Sequence, residues 1–386
     1  MLDMNKCNYR SAVIASSIVL FVILIAVLSK HPSSGSSRGK EPIRIGLAIG
    51  LTGYAANWGS GEQKAVELAL DEYSAKLDVP IKLVVEDTKS DGIGTVNAIQ
   101  KLVEVDHVQA IIGPTWGDSF QGGLPIAEKA KVAMISPSAA MEAIENRGSF
   151  GYFFSTWWPQ QQEVSALASR ITKDHAKTVY IIHDQDSFNL KFSDMFQDAI
   201  ASADPGIRIQ RVTAPISAND FRTYVTKIKD AKPDAIFALF QDTGSVGSLM
   251  KQLKEQGVVA KVYSSTSAQN EGNLKKFPGY FDGLRYSYPS YEDDSRYAAL
   301  KRKFIEKYGS GADEGPAFVN AYNASVVLLE SIKAGARTGE EIRKALGKIR
   351  MPGVGVEELS FDMNNQIGNV TYLIKTVKGN SFVRLD

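Results

Sequence analysis

Cysteine is nearly missing from this chain. Its 386 residues contain one, Cys7, ahead of the first apolar run. Everything after it is therefore free of internal disulfides and thiolate metal sites, and indifferent to an oxidising compartment. A lipoprotein signal needs its Cys just after an apolar run, which argues against a lipid on Cys7. Net charge is also nearly absent, with 44 Lys+Arg against 43 Asp+Glu. That balance lacks the basic patch of a nucleic-acid protein. Histidine is scarce: His31, His107, His175 and His183 fall in no HExxH or other ligand pair, so no metal is expected. The glycines at 46, 50 and 53 miss the dinucleotide spacing, and no P-loop occurs. Ser119 lies in G-D-S-F-Q, where Gln121 replaces the second glycine of a nucleophile elbow. With no nucleophile and base pair, neither enzyme chemistry nor a cofactor is expected. His183 reads as a strand-end core residue, and the nearby Asp184 and Asp186 as a solvated loop. No fixed-period repeat suggests a solenoid.

What is present begins with one long apolar run, residues 12–28, preceded by Lys6 and Arg10. Residues 1–29 read as a signal peptide or an uncleaved membrane anchor, the anchor being favoured by the length of the run. Lys30, Arg38 and Lys40 follow it and blunt the orientation signal. Residues 30–41, with the stretch "HPSSGSSRGKE", form a Ser/Gly-rich flexible linker. Downstream there is enough chain, 44% of it apolar overall, for two domains or one large one with a substantial core.

From Pro42 strands and helices alternate. "IRIGLAIG", "IKLVVED", "VQAIIG" and "VAMIS" are strands. Between them "GEQKAVELALDEYSAK" presents Ala65, Leu68, Ala69 and Tyr73 on one helical face, and "GTVNAIQKLVEVD" does so with Val96, Ile99, Leu102 and Val103. Nearly continuous apolar strands imply burial on both faces, hence a parallel sheet with crossover helices. The pattern restarts at "QQEVSALASRITKDH" and gives a second α/β unit of similar size. A helical block after Gly283 and a final hairpin in "NVTYLIKTVKGNSFVRL" suit two lobes that exchange chain segments.

In open α/β sheets, ligands bind beyond the carboxyl ends of the strands. Here those ends lead into "LTGYAANWGSG", "GPTWGDS" and "SPSAA", then "HDQDSFN", "FQDTGS" and "SSTSAQN". Small residues let backbone N–H groups approach a ligand, helix N-termini attract anions, and aromatics supply apolar walls. Part of this polar content must be helix capping. Trp58 and Trp116, in Gly/Asn-rich loops, read as pocket walls rather than core.

These blocks, in this order, resemble the branched-chain amino-acid family of extracytoplasmic solute-binding proteins, over essentially all of residues 42–386. The resemblance implies the type I periplasmic-binding-protein fold: two doubly wound parallel-sheet lobes joined by a three-segment hinge, here preceded by an N-terminal hydrophobic helix. It places crossings near 155–158, 285–289 and 352–359, with lobe 1 at 42–156 plus 286–353 and lobe 2 at 157–285 plus 354–386. It implies capture of a small solute (amino acid, amide or small carboxylate) by hinge closure, delivery to an ABC permease and its ATPase, and a monomer outside the cytoplasm. A sensory domain on the same fold is the alternative. By position, Gly117 and Ser138 would receive a ligand carboxylate, Trp58 and Phe188 would cover the ligand, and Asp242 would make a polar contact. Two positions depart from amino-acid binders: Ala140 stands for a hydroxyl, and Thr266 for the carboxylate that pairs with the ligand ammonium. An unpaired buried ammonium is costly, so Asp242, Asp118 or Asp184 would have to replace that charge.

Overall fold

A computed structural model describes residues 40–115, 118–216, 218–309, 315–368 and 370–385. The apolar run, the linker up to residue 39, and the expected site residues Trp116 and Gly117 lie outside the described residues. Among the described residues no helix is long and apolar enough to cross a membrane.

Residues 42–386 form one contact unit built on two sheets. The first contains β1 (Ile43–Ile49), β2 (Ile81–Asp87), β3 (Ala110–Ile112), β4 (Ala133–Ser136) and β5 (Phe153–Ser155), ordered β2-β1-β3-β4-β5. All its pairings are parallel. Helices α1 (Ala56–Ser74), α2 (Gly92–Glu104) and α3 (Leu124–Ala130) make the crossovers. Ile45, Leu47, Ala110, Ile111, Met134 and Ile135 are fully or almost fully buried, as strands covered on both faces must be.

The second sheet begins after α4 (Gln160–Lys173). It contains β6 (Thr178–Asp184), β7 (Arg208–Ala214), β8 (Ala235–Leu239), β9 (Lys261–Ser264) and β10 (Arg285–Pro289), with α5 (Ser187–Ala203), α6 (Arg222–Ala231), α7 (Thr243–Glu255) and α8 (Glu271–Lys276) between them. The chain then forms α9 (Ser295–Tyr308), α10 (Pro316–Lys333) and α11 (Gly339–Leu346), and a small antiparallel pair, β11 (Met351–Gly353) and β12 (Val356–Leu359). It returns as β13 (Tyr372–Lys378) and β14 (Ser381–Arg384), giving the order β14-β13-β10-β9-β8-β6-β7. The late helices belong to the first sheet's side. Tyr308 and Tyr322 donate to Glu67 and Glu72 of α1 at 3.0 and 3.1 Å. Tyr73 of α1 donates to Glu330 of α10 at 2.9 Å. α10 is buried on almost every side, as a helix apolar all round should be.

The chain thus passes between the two sheets after β5, after β10 and after β12. These passages are laced together: Ser155 N–H donates to Asn365 O at 2.9 Å, Ile367 N–H to Ser155 O at 3.0 Å and Ser290 N–H to Thr371 O at 2.8 Å. Arg285–Pro289, expected at a crossing with Tyr286 onward in the first lobe, is a full strand here. It is antiparallel to β13 along its length and parallel to β9 at its start, and this pairing holds it in the second sheet. β13 and β14 add an antiparallel edge to an otherwise parallel sheet.

Two helices start earlier than their sequence patterns suggest, at Ala56 where the pattern begins at Gly61 and at Ser187 where "KFSDMFQDAIAS" begins at Lys191. α1 begins at Ala56, so Trp58 lies on its first turn and not in a loop. Gly59 makes this possible: a Cβ there would stand 2.1 Å from Gly50 O. α5 begins at Ser187 because the Asp186 carboxylate caps it, accepting from the N–H groups of Phe188 and Asn189.

Candidate functional site

A cavity opens where the first turns of α1 and α5, the end of β8, the segments after β4 and β9, and the passage into α4 converge. Trp58, Ser138, Ala140 and Ala143 line it from the first unit. Glu163, Phe188, Asn189, Leu239, Phe240, Gln241 and residues 265–267 line it from the second. Trp157, on the passage between them, completes the wall. Its volume of about 60 Å³ is several times the roughly 10–15 Å³ that admits one water.

The apolar walls are aromatic. Trp58 and Trp157 lie with ring centroids 6.0 Å apart, Trp157 and Trp158 5.7 Å, and Trp158 stacks on Tyr291 at 5.6 Å. A continuous run of rings therefore leads from the cavity into the passages. Phe188 leans on Phe192 at 5.7 Å, which ties the opposite wall to the core under β6 and β8.

The polar groups are dominated by two buried glutamates. Glu163, on the first turn of α4, lines the cavity. Its Oε1 accepts from Thr266 N–H and Thr266 Oγ1, both at 2.9 Å, and from Ser287 Oγ at 2.5 Å. Burial pushes its pKa up against these donors. Glu62 lies on the buried stripe of α1 with Ala65, Val66 and Ala69. One oxygen accepts from Ser138 Oγ and the other from Thr115 Oγ1, both at 2.5 Å. Thr115 Oγ1 in turn accepts Gly50 N–H at 3.0 Å. Burial raises the Glu62 pKa to about 7, opposed by its two hydroxyl donors. Glu62 thus stands behind Ser138, and Ser138 faces the cavity.

Asp184 is fully buried, not part of a solvated loop. It accepts from Gln241 N–H and Asn189 Nδ2, both at 2.7 Å, and so rivets the end of β8 to the start of α5. His183 is buried beside it. Arg211 Nε donates to its Nε2 at 2.6 Å, so the ring proton sits on Nδ1 and goes to Asp184 O at 2.6 Å. Burial lowers its pKa, keeping it a neutral structural residue.

Of the residues singled out from sequence, the structure brings Trp58, Ser138, Ala140, Phe188 and Thr266 to one cavity. Asp242 is not among the lining residues. Its carboxylate caps α7, accepting Gly244 N–H at 2.9 Å, and its neighbour Gln241 takes the lining position. Sequence reasoning missed Glu62, Trp157, Glu163 and Gln241. The two glutamates do leave a signal: each occupies a position on an otherwise apolar helical stripe, 62/65/66/69 and 163/164/167/171.

A family model described as periplasmic binding protein matches residues 42–380. The leucine-, isoleucine-, valine-, threonine- and alanine-binding protein of Pseudomonas aeruginosa is 24% identical over 360 residues, 91% of this chain and 94% of that one. The fold also matches the branched-chain amino acid transporter substrate-binding protein of Streptococcus pneumoniae, solved with isoleucine. The TM-score is 0.79 and the identity 21%, over 89% of this chain and 99% of that one. An ABC-transporter solute-binding protein of Rhodopseudomonas palustris, solved with 3,4-dihydroxybenzoic acid, matches with TM-score 0.78 and 20% identity, over 89% and 97%.

Proposed function

Because the chain belongs to the periplasmic binding protein family, whose members are solute-binding proteins rather than enzymes, we propose that it captures a small solute by hinge closure. The solute's size is that of an amino acid, amide or small carboxylic acid. The observation that carries this reading is a cavity walled by side chains from both sheet units, with Trp157 on a passage between them. A solute touching both walls holds them together, and its contacts supply the free-energy difference that favours the closed form. The range of solutes follows from the relatives, which include one solved with isoleucine and another with a dihydroxybenzoic acid.

In this reading the chain works outside the cytoplasm as a monomer, tied to the membrane or released by its N-terminal apolar segment, and passes the solute to an ABC permease and its ATPase. Two measurements test it. A thermal-shift screen of amino acids, amides, aliphatic and aromatic acids and sugars should give a hit, because a ligand that binds only the folded state stabilises it. Small-angle scattering with that hit should then show a smaller radius of gyration. An unchanged radius with a tightly bound ligand defeats the hinge mechanism. Fractionation of the full-length protein with membranes at its unprocessed mass separates an anchor from a cleaved signal.

A further inference from the structure

Charge in the cavity is of one sign. Glu163 is the only ionisable side chain among its described lining residues. All three of its hydrogen bonds converge on Oε1. The buried Tyr372 hydroxyl stands near enough to the carboxyl to help hold its pKa down, but beyond the distance or angle of a formed hydrogen bond. Among the described residues Oε2 accepts no formed hydrogen bond, and Glu163 lines the cavity, which leaves that oxygen to a donor from a ligand. An ionised carboxyl so buried, with no cation beside it among the described residues, is costly. A ligand that brings one positive charge and no negative charge removes that cost. A zwitterion restores the imbalance with its own carboxylate.

Among its described residues, the first wall disfavours a carboxylate as well. Ser138 would be the natural hydroxyl to receive one, but its Oγ donates to Glu62 at 2.5 Å. A ligand carboxylate there would meet an oxygen whose proton is committed, with a second carboxyl group behind it. Ala140 offers no hydroxyl in its place. The cavity does hold donors for an uncharged oxygen. The indole N–H of Trp157 and the side-chain amide nitrogen of Gln241 are buried and have no partner, and a buried donor left unpaired costs about 1–3 kcal/mol.

On the reading that this cavity captures a solute, we propose that the solute is a monocation: an organic amine with an apolar body and an uncharged acceptor oxygen, in the manner of an amino amide or amino alcohol. Its ammonium pairs with Glu163, and its oxygen accepts from Trp157 and Gln241. Aromatic rings of Trp58, Trp157 and Phe188 enclose the apolar body.

Calorimetric titration of the full-length protein in detergent tests this with matched sets: leucinamide and leucinol, phenylalaninamide and phenylalaninol, the free amino acids, and the amine-free amides 4-methylpentanamide and 3-phenylpropanamide, at a pH where the amines are protonated. At least one amine with an uncharged oxygen should bind about tenfold or more tighter than both its amino acid and its amine-free amide. Glu163→Gln should lose about tenfold for that amine, which is the effect of about 1.4 kcal/mol. If the variant does not fold, the amine-free amide on the unmodified protein makes the same comparison. Amino acids binding as tightly as their amides overturn the monocation while leaving solute capture intact. Failure of every amine in the set to bind also overturns it. Equal affinity in Glu163→Gln overturns the role of Glu163. A bound amine that leaves the radius of gyration unchanged defeats the capture reading instead.

Discussion

Glu62 and Glu163 are the same chemical group on the same kind of surface. Each projects from the apolar stripe of a helix, and each is almost completely buried. Their surroundings make them different instruments. Glu62 is closed, with one hydroxyl donor on each oxygen and backbone behind them. Glu163 is half open, since three donors crowd one oxygen and the residue lines the cavity. A carboxyl with both oxygens satisfied internally fixes the geometry of one wall. A carboxyl with one oxygen free waits for something to arrive.

The sharpest way to break that contrast is to remove the donors. Thr115→Val combined with Ser138→Ala strips both oxygens of Glu62 and should cost about 4 kcal/mol in urea unfolding, at 1–3 kcal/mol or somewhat more per orphaned group. Ser287→Ala should cost only about 1 kcal/mol, because Thr266 still donates twice to Glu163. Equal losses would mean that the two sites are alike.

pH provides a second lever, with a definite sign. The folded pKa of Glu62 is about 7 against 4.5 for an ordinary glutamate carboxyl. The native state therefore binds the proton more tightly, and stability is greater below pH 4.5 than above pH 7. The loss as pH rises through that window is roughly 3 kcal/mol and levels off above it. Glu62→Gln should flatten that part of the profile. Glu163, shifted in the same direction, should supply the slope that remains. A steep profile surviving unchanged in Glu62→Gln, followed by chemical unfolding across the range, would show that burial does not govern this carboxyl.

The smallest effect repeats the contrast one residue apart. Asp242→Ala should lose its cap to α7, about 1 kcal/mol of stability, and leave ligand affinity unchanged. Gln241→Ala should do the reverse, weakening the ligand with little change in melting. If Asp242→Ala instead weakened binding, the lining assignment at the end of β8 would be wrong by one.

Much of the fold was legible because its strands are nearly continuous apolar runs and its helices carry regular stripes. β1, β2 and β4 lie where those patterns put them. Helix starts were less legible, since they depend on contacts distant in sequence. Nothing local announces that Gly59 must pack against Gly50, and that contact turns Trp58 from a loop residue into a helical one. In the site, the aromatic and small residues at strand ends pointed to the cavity. The acidic residues did not sort themselves, because the identity of an Asp does not say what it is used for. Asp242 is consumed by a helix cap and Asp184 by a rivet between loops. The carboxyl at the cavity comes from Glu163, where reading the helix for its apolar face passed over the charged residue that breaks it.

The run of rings from Trp58 through Trp157 to Trp158 has an optical consequence. The chain has four tryptophans, and these three stand in sequence with centroids 6.0 and 5.7 Å apart. Indoles so close share excitation, so light absorbed by one is emitted according to the arrangement of all. Trp58 belongs to one sheet unit and Trp157 to the passage between units, so any movement of one unit against the other changes that arrangement. If solute capture closes the hinge as proposed, the protein carries an unlabelled gauge of its own occupancy, readable in the emission spectrum and in the near-ultraviolet circular dichroism of the unmodified chain.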